Sequence, residues 1–299
     1  DILVDLAAHT NGGRLDIFVR KPAPVQVTAW GFAHGSGLLE MDYFFADPIA
    51  VPEAEREFYT EKIWDLPCIV TYAFPADYDL KPASPLPFRR NGYVTFGAFA
   101  RFEKFSDDCL RTYAEILCAV PDSKILFKDQ AFRRPAAIRK VEKIMGIDPS
   151  RIFYLPGTTH DEHLKTVQKC DLILDPFPHS GGLASMEQLA VGVPVLALYG
   201  RQAAGRTSSS VLITIGHPEL VARSREEYVA KAVDLAMSVP GGALESLRRT
   251  ISGELMDSPV CKGYVEAVEA AYAEMFRIWR KEPPRGITRP LLEAAHAAK

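Results

Sequence analysis

The segment from Asp171 to Tyr199 limits what this chain can fold into more than any other part of it. Leu172 to Leu174 is a short apolar run of the kind that forms a buried strand. Gly181 and Gly182 follow, and a glycine pair lets the backbone turn sharply and approach a neighbour closely. Leu183 to Ala190 reads as a helix, Gly192 and Pro194 stop it, and 194–198 is a second apolar run. Strand, glycine turn, helix and strand in that order make a βαβ unit. The first N–H groups of its helix face the turn, where they attract anions, phosphates above all. Glu187 lies about one helical turn further on, where a carboxylate reaches a sugar hydroxyl. The segment is either a nucleotide-sugar site or an ordinary βαβ unit with a glycine-rich connection.

The same alternation extends over residues 91–215. Strands are expected over 93–96, 124–127, 151–154, 171–174 and 194–198, with helices over 107–119, 133–145, 161–168 and 183–190 between them. That order argues for an α/β fold with a parallel sheet covered on both faces. Ligands of such sheets sit at the carboxyl ends of the strands. The distinctive loops, 97–104, 157–163, 176–182 and 199–206, all follow strands.

Residues 1–88 mix shorter apolar runs with turns. Strands are expected over 2–6, 25–30 and 41–47, a further one from 62–66, and a glycine-rich loop over 31–37. The proline-rich stretch 75–87 reads as an interdomain linker. From 205 onward helices are expected over 205–212, 224–237, 242–251 and 260–279. In the last, Val265, Val268, Tyr272, Met275, Phe276 and Trp279 form an apolar stripe that reads as a core face. The expected organisation is a first lobe over 1–88, a nucleotide-binding lobe over 89–255, and over 256–299 a helix returning to the first lobe, with a peripheral tail.

Composition narrows the partners. The chain has 299 residues, 47% hydrophobic and 24% charged, which suits roughly two globular domains. A net charge of -3 gives no polyanion-binding surface, so no nucleic-acid partner is expected. No apolar run approaches the ~18 residues of a membrane span, so no membrane partner is expected either. The five cysteines are odd in number and scattered, which fits a reducing, cytoplasmic setting. Asp1 opens almost directly into a strand, so the chain is expected to be a piece of a longer protein.

Several side chains in these loops can carry chemistry. Lys104 lies between a strand and the helix capped by Ser106, where an ammonium can neutralise a diphosphate or stand as a solvated lysine; Arg101 is a weaker companion. His160 and His163 have i, i+3 spacing, but no third metal ligand is near, so a hydrogen bond to a phosphate or nucleoside is favoured over metal binding. Thr159 and Glu162 have capping-box spacing. Arg206 either contacts a phosphate or caps a neighbouring helix. Asp77 and Asp79 have the D-x-D spacing of metal-dependent sugar transferases, but they lie in the linker and are read as having no such role. No nucleophile elbow, P-loop or HExxH is present.

Taken together, Arg20 to Gln26, Trp30 to Gly37, Met41 to Tyr43 with Asp47, Phe99 to Lys104, His163 with Leu164, Asp175 to Pro194, and Arg206 with Ser210 carry a resemblance. In this order they resemble the catalytic region of the O-linked N-acetylglucosamine transferases and their SPINDLY-type relatives, in a bacterial version, over residues 1–280.

The resemblance implies a two-lobed GT-B fold with the first lobe incomplete. It implies inverting, metal-independent sugar transfer to Ser or Thr hydroxyls of proteins, with no cofactor and UDP-GlcNAc as donor. By the same likeness Lys104 stabilises the leaving diphosphate, Arg101 lies near the nucleotide, and His163 packs on or near the base. His160 stands where animal members have a lysine, and Arg206 falls on the donor side. Gly181, Gly182, Leu183 and Ala184 match the turn and helix start that hold the diphosphate, where animal members have Gly-His-Thr-Thr. Glu187 matches the residue that binds the ribose hydroxyls. Gly35, Ser36 and Gly37 match a first-lobe loop facing the sugar; His34 departs from the family residue there, and His9 belongs to the same end.

Family members carry more of the first lobe, and usually tetratricopeptide repeats, before the point where this sequence begins. The expected partners are a nucleotide-sugar donor and a protein or peptide acceptor, with the oligomeric state open. GDP-fucose and UDP-glucose are alternative donors. A non-catalytic nucleotide-sugar-binding or scaffolding module is the alternative of another class.

Overall fold

The computed structural model describes residues 1–76, 78, 80 and 85–281. In chain order its first elements are β1 (Ile2–Asp5), α1 (Leu15–Phe18), β2 (Val25–Thr28), β3 (Tyr43–Ala46), β4 (Lys62–Asp65) and α2 (Phe88–Asn91). Then come β5 (Thr95–Ala98), α3 (Asp107–Ala119), β6 (Lys124–Lys128), α4 (Pro135–Met145), β7 (Ile152–Leu155), α5 (His160–Val167), β8 (Leu172–Leu174) and α6 (Leu183–Ala190). The last are β9 (Val195–Leu198), α7 (Thr207–Thr214), β10 (Val221–Ala222), α8 (Arg225–Met237), α9 (Ala243–Asp257) and α10 (Tyr264–Lys281). They form two compact units, one of Asp1–Thr71 with the chain from Gly263 on, the other of Tyr72–Lys262.

The first unit holds a sheet in the order β1-β2-β3-β4, parallel throughout. Every residue of β2 and β3 is buried, as expected of parallel strands covered on both faces. The last helix folds with this unit. Trp30 Nε1 donates to the Tyr264 hydroxyl at 2.9 Å, that hydroxyl donates to the Cys68 carbonyl at 2.8 Å, and Tyr272 meets Phe45 at 5.6 Å between ring centroids. The buried face runs through Tyr264, Ala271 and Met275, whereas Val265 is 66% exposed. The expected stripe is therefore rotated at its start, because the helix begins at Tyr264 and its inner face repeats at seven and then four residues.

The second unit holds a six-stranded sheet in the order β10-β9-β8-β5-β6-β7, again all parallel. The chain builds outward from β5 to β7, returns to β8 on the other side of β5, and builds outward again. The sheet order thus reverses between β5 and β8, the place where open parallel sheets bind ligands. Helix α3 buries Cys109, Leu110, Tyr113, Ile116 and Leu117, a helical repeat of apolar positions. Each such fully buried side chain contributes roughly 1.5–3 kcal/mol by removal from water.

Most expected elements are present with shifted ends. Strand β5 starts at Thr95 rather than 93 because the Asp171 carboxylate accepts the Phe88 and Thr95 N–H groups at 2.9 and 2.8 Å. The bond to Phe88 also ties α2 to this unit, and the division of the chain falls at Thr71/Tyr72, not at residue 88. The 133–145 helix begins at Pro135, after a separate turn over Gln130–Arg133 capped by Asp129. Strand β10 was not expected; two residues beside Ala197 and Leu198 carry too little pattern to read. Asp77, Asp79 and the tail beyond Lys281 lie outside the described residues.

A buried arginine fastens the sheet to α9. Arg248 Nη1 donates to the Cys170 carbonyl and Nη2 to that of Gln168, both at 2.8 Å. Burial pulls its guanidinium below the usual arginine value, and Asp171 opposes that.

Candidate functional site

Two loops meet at the reversal between β5 and β8. The loop after β5 carries Arg101, Lys104 and Ser106; the loop after β8 carries Asp175, His179, Ser180, Gly181 and Gly182. Two hydrogen bonds join them. Ser106 Oγ donates to the Phe177 carbonyl at 2.8 Å while accepting the Cys109 N–H as the cap of α3. Lys104 Nζ donates to the Ser180 carbonyl at 2.6 Å. Burial lowers the Lys104 pKa from its ordinary value; Asp175 raises it and Arg101 lowers it.

Asp175 lies beneath the turn. Its Oδ1 accepts the Gly181 N–H at 2.9 Å and lies 3.4 Å from Ser185 Oγ. Its Oδ2 is buried without a hydrogen-bond partner. Burial pushes the carboxyl up to about 6, against the Gly181 N–H and Lys104, which favour the anion. Around it runs a buried set of hydroxyls: Ser180 bonds Thr207 at 2.8 Å, and Ser185 bonds Ser208 at 2.8 Å. Glycine is required at 181, because a Cβ there would sit 2.1 Å from Ser185 Oγ and 2.6 Å from Asp175 Oδ1.

The Gly181 N–H is therefore spent on Asp175, and the donors facing outward come from the next residues. Gly182 caps α6 without a side-chain hydrogen bond, and the first-turn N–H groups of Leu183 and Ala184 have no partner within their own helix. Leu183 is 50% exposed at this helix start. Arg101, Lys104 and His179 surround the same turn; burial, then Lys104 and Arg101, lowers the His179 pKa. A helix N-terminus beside the Lys104 ammonium suits a diphosphate.

Glu187, half-buried on α6, faces His160, the first residue of α5, with Oε1 3.6 Å from Nε2. Burial raises the Glu187 pKa and His160 lowers it. The His160 ring stacks on Tyr78 at 4.1 Å between centroids, and the Tyr78 hydroxyl is 3.0 Å from that of Tyr72. That bond, then burial and the charge of Glu187, pushes the Tyr72 phenol up to about 12. His163 Nδ1 lies 3.1 Å from Lys128 Nζ, with the Phe99 ring edge-on at 5.8 Å. Burial, then Lys128 and His160, pulls its imidazole down to about 4, so it is neutral at physiological pH. The capping box at the head of α5 is formed, with Glu162 Oε2 accepting the Thr159 N–H at 3.3 Å.

Arg206 is turned to its own loop. Its Nε donates to the Gly200 carbonyl at 2.7 Å and its Nη2 to that of Arg201 at 2.8 Å, and its guanidinium lies over Tyr199. Of the two roles open to it, it neither caps α7 through its side chain nor turns these two donors toward the glycine turn.

In the first unit the glycine-rich loop is fixed from below by Glu61. Ser36 donates to Glu61 Oε1 through its N–H and, at 2.6 Å, through its hydroxyl. Gly35 crosses directly above, where a Cβ would sit 2.6 Å from Glu61 Oε2. Gly37 has φ +77, a left-handed turn suited to glycine. His34 stacks on Tyr59 at 5.2 Å, and His9 Nε2 lies 2.8 Å from the Ser36 carbonyl. The structure thus brings His9, His34, Gly35, Ser36 and Gly37 together.

The model for glycosyl transferase family 41 matches residues 1–73 and 88–268. The chain belongs to glycosyl transferase family 41. It is 35% identical over 284 residues to a protein of Oryza sativa named "Probable UDP-N-acetylglucosamine--peptide N-acetylglucosaminyltransferase SPINDLY", covering 93% of this chain and 30% of that one. The SPINDLY protein of Arabidopsis thaliana, named in the same words, is also 35% identical, over 94% of this chain and 31% of its own. The chain thus spans about a third of the length of these curated relatives. A solved structure of a Thermobaculum terrenum O-GlcNAc transferase mutant superposes with TM-score 0.85 at 32% identity, covering 93% of this chain and 53% of that one. The fold class is α/β of the GT-B glycosyltransferase type.

The sequence pattern singled out the loops after β5 and β8 and missed the buried side chains that lie under them. Asp175, Lys128 and Glu61 are buried charged side chains beside strands; Asp175 and Lys128 close apolar runs, which was the available signal, while Glu61 stands between Thr60 and Lys62 and gave none. Tyr72 and Tyr78 gave none: Tyr78 sits in the proline-rich stretch that reads as linker, and Tyr72 lies just before it. Among the described residues no group of three His, Cys, Asp or Glu side chains is placed to hold a metal ion, and no helix is long and apolar enough to cross a membrane.

Proposed function

We propose that this chain is the donor-binding and catalytic part of a protein O-glycosyltransferase. The reaction is inverting and metal-independent transfer of N-acetylglucosamine from UDP-GlcNAc to Ser or Thr hydroxyls. The observation that carries this reading is the position of Lys104, 2.6 Å from the Ser180 carbonyl beside the Gly181-Gly182 turn, at the reversal of the sheet.

In the reaction the acceptor oxygen forms a bond to the anomeric carbon as the bond from that carbon to the diphosphate breaks. The acceptor proton passes to a base, and the nucleoside diphosphate leaves with the electron pair. Lys104 and the N–H groups at the start of α6 meet the charge that develops on the leaving oxygen. Glu187, with its carboxylate beside His160, accepts the ribose hydroxyls. The Arg101 guanidinium adds to the positive field that holds the donor, while His179, whose pKa is lowered by burial and by Lys104 and Arg101, offers a neutral imidazole beside it.

The name shared by the SPINDLY relatives supports a UDP-GlcNAc donor. The apolar Leu183 and Ala184 at the helix start leave room for a second donor, GDP-fucose. The test is to supply the protein with radiolabelled UDP-GlcNAc, UDP-glucose and GDP-fucose together with cell-extract proteins. Label from UDP-GlcNAc in protein is the expected result. Label from another donor alone corrects the sugar, and binding of donor with no transfer points to a non-catalytic module.

A further inference from the structure

Lys128 closes β6 and is 8% exposed, yet its side chain is not paired with an acid. Among the described residues its ammonium meets no carboxylate within 4.0 Å, while Nζ lies 3.1 Å from His163 Nδ1. An ammonium has three N–H donors and no lone pair, so the nitrogen facing it must accept. The imidazole proton of neutral His163 is then on Nε2, which makes that nitrogen a donor toward whatever lies beyond the ring.

We propose that Lys128 is a positioning residue that fixes His163 as an Nε2–H donor, and that the pair reads a carbonyl-bearing edge of the donor's nucleobase. The inference rests on the nucleotide-sugar reading given above. Three further observations carry it. The pair sits at the end of β6 and the head of α5, on the far side of β5 from the Gly181 turn on the β8 loop. A nucleotide with its diphosphate at the turn would have to cross about two strand spacings, roughly 10 Å, to place its base there. The buried Phe99 ring packs nearly perpendicular to His163, with centroids 5.8 Å apart, and gives the imidazole an apolar neighbour that fixes its plane. Glu162, the acid whose charge acts on Lys128, is engaged with the Thr159 N–H in the capping box and does not neutralise the ammonium by contact.

The Nε2–H donor, held on the side of the ring away from the ammonium, calls for a carbonyl oxygen. Uracil presents carbonyls where cytosine replaces one by an amino group, and a donor facing an amino group loses its hydrogen bond. An imidazole that merely stacks on the base is indifferent to its own tautomer, so the two cases separate by experiment.

The experiment uses the full chain labelled with 15N-histidine. Multiple-bond nitrogen–proton spectra assign the His163 tautomer, with His163→Gln identifying the signal, and calorimetry measures UDP and CDP affinities. The expected result is a neutral His163 protonated on Nε2 at pH 7, and UDP binding roughly tenfold tighter than CDP. In Lys128→Met the Nδ1-protonated form appears and the UDP/CDP ratio falls to about twofold or less, while Lys128→Arg, also a pure donor, keeps both properties. A wild-type His163 that is charged or protonated on Nδ1 overturns the inference, as does a ratio untouched by Lys128→Met. Equal binding of UDP and CDP sinks this inference alone; binding of neither nucleotide by the wild type sinks the donor reading with it.

Discussion

Lys104 Nζ and the Ser180 carbonyl oxygen are 2.6 Å apart, a bond between residues separated by 76 positions. It joins the loop after β5 to the loop after β8. On the proposed mechanism the diphosphate takes over that ammonium, and the cation is held in place beforehand by the neighbouring loop. Its burial and the nearby Arg101 both disfavour the charge, so an arriving anion meets a lysine with unspent affinity.

Gly181→Ala tests the turn itself. Its Cβ would lie 2.1 Å from Ser185 Oγ and 2.6 Å from Asp175 Oδ1, so the turn must shift. The expected cost is about 1–3 kcal/mol of stability, read by urea denaturation, with donor affinity reduced at least as much. Gly253→Ala is the control: it lies within α9, nothing stands within 4 Å of its Cβ, and it should stabilise by about 0.5–1 kcal/mol.

Asp175 makes stability depend on pH. Its carboxyl, raised from 3.8 to about 6 in the folded chain, binds a proton more tightly there than in the unfolded chain. Its contribution is therefore most favourable below about pH 4 and is lost as pH rises through 6, by an amount on the order of 3 kcal/mol. Asp175→Asn should flatten that fall in denaturation midpoints measured from pH 4 to 7. A profile identical to wild type would show that the carboxyl is not protonated near pH 6.

His217 gives a profile of the same sign at higher pH. Its Nδ1 lies 2.7 Å from Glu219 and its Nε2 2.6 Å from Glu254 on α9. Burial disfavours the imidazolium, but the hydrogen bonds and charges of the two carboxylates outweigh it, and the net pKa is raised. The stabilisation is full below the unfolded value of about 6.5 and fades as pH rises through the folded one. His217→Gln should destabilise by about 1 kcal/mol at pH 5.5 and by less at pH 8.5.

The architecture was legible in the sequence wherever a period survived. Leu183–Ala190 and Asp107–Ala119 have the expected ends, since a glycine or serine marks one boundary and apolar spacing the rest. The site was legible at its surface, in Lys104, the glycine turn and Glu187. Asp175 supports that turn from a buried position, and its partners Gly181, Ser185 and Lys104 come from three loops or helices. Gly181 and Ser185 lie only 6 and 10 positions away, but neither spacing follows a helix or strand period, and Lys104 comes from another strand end, so no local pattern marks the carboxylate. Arg206 shows the reverse: its place after a strand suggested a phosphate contact or a helix cap, and its bonds to the Gly200 and Arg201 carbonyls, which brace its own loop, left no sign in the sequence.

Glu187→Ala separates binding from chemistry. If the carboxylate beside His160 holds the ribose, its loss should raise the donor KM by roughly tenfold with kcat little changed, the mark of an interaction equal in ground and transition states. A fall in kcat at unchanged KM would place Glu187 at the reacting centre instead.

Single-turnover transfer from radiolabelled UDP-GlcNAc by Lys104→Ala decides whether Lys104 stabilises the departing diphosphate. The expected rate is lower by roughly 10²–10³, with UDP still bound and the thermal transition intact. Transfer at the wild-type rate by a folded Lys104→Ala protein would contradict that role.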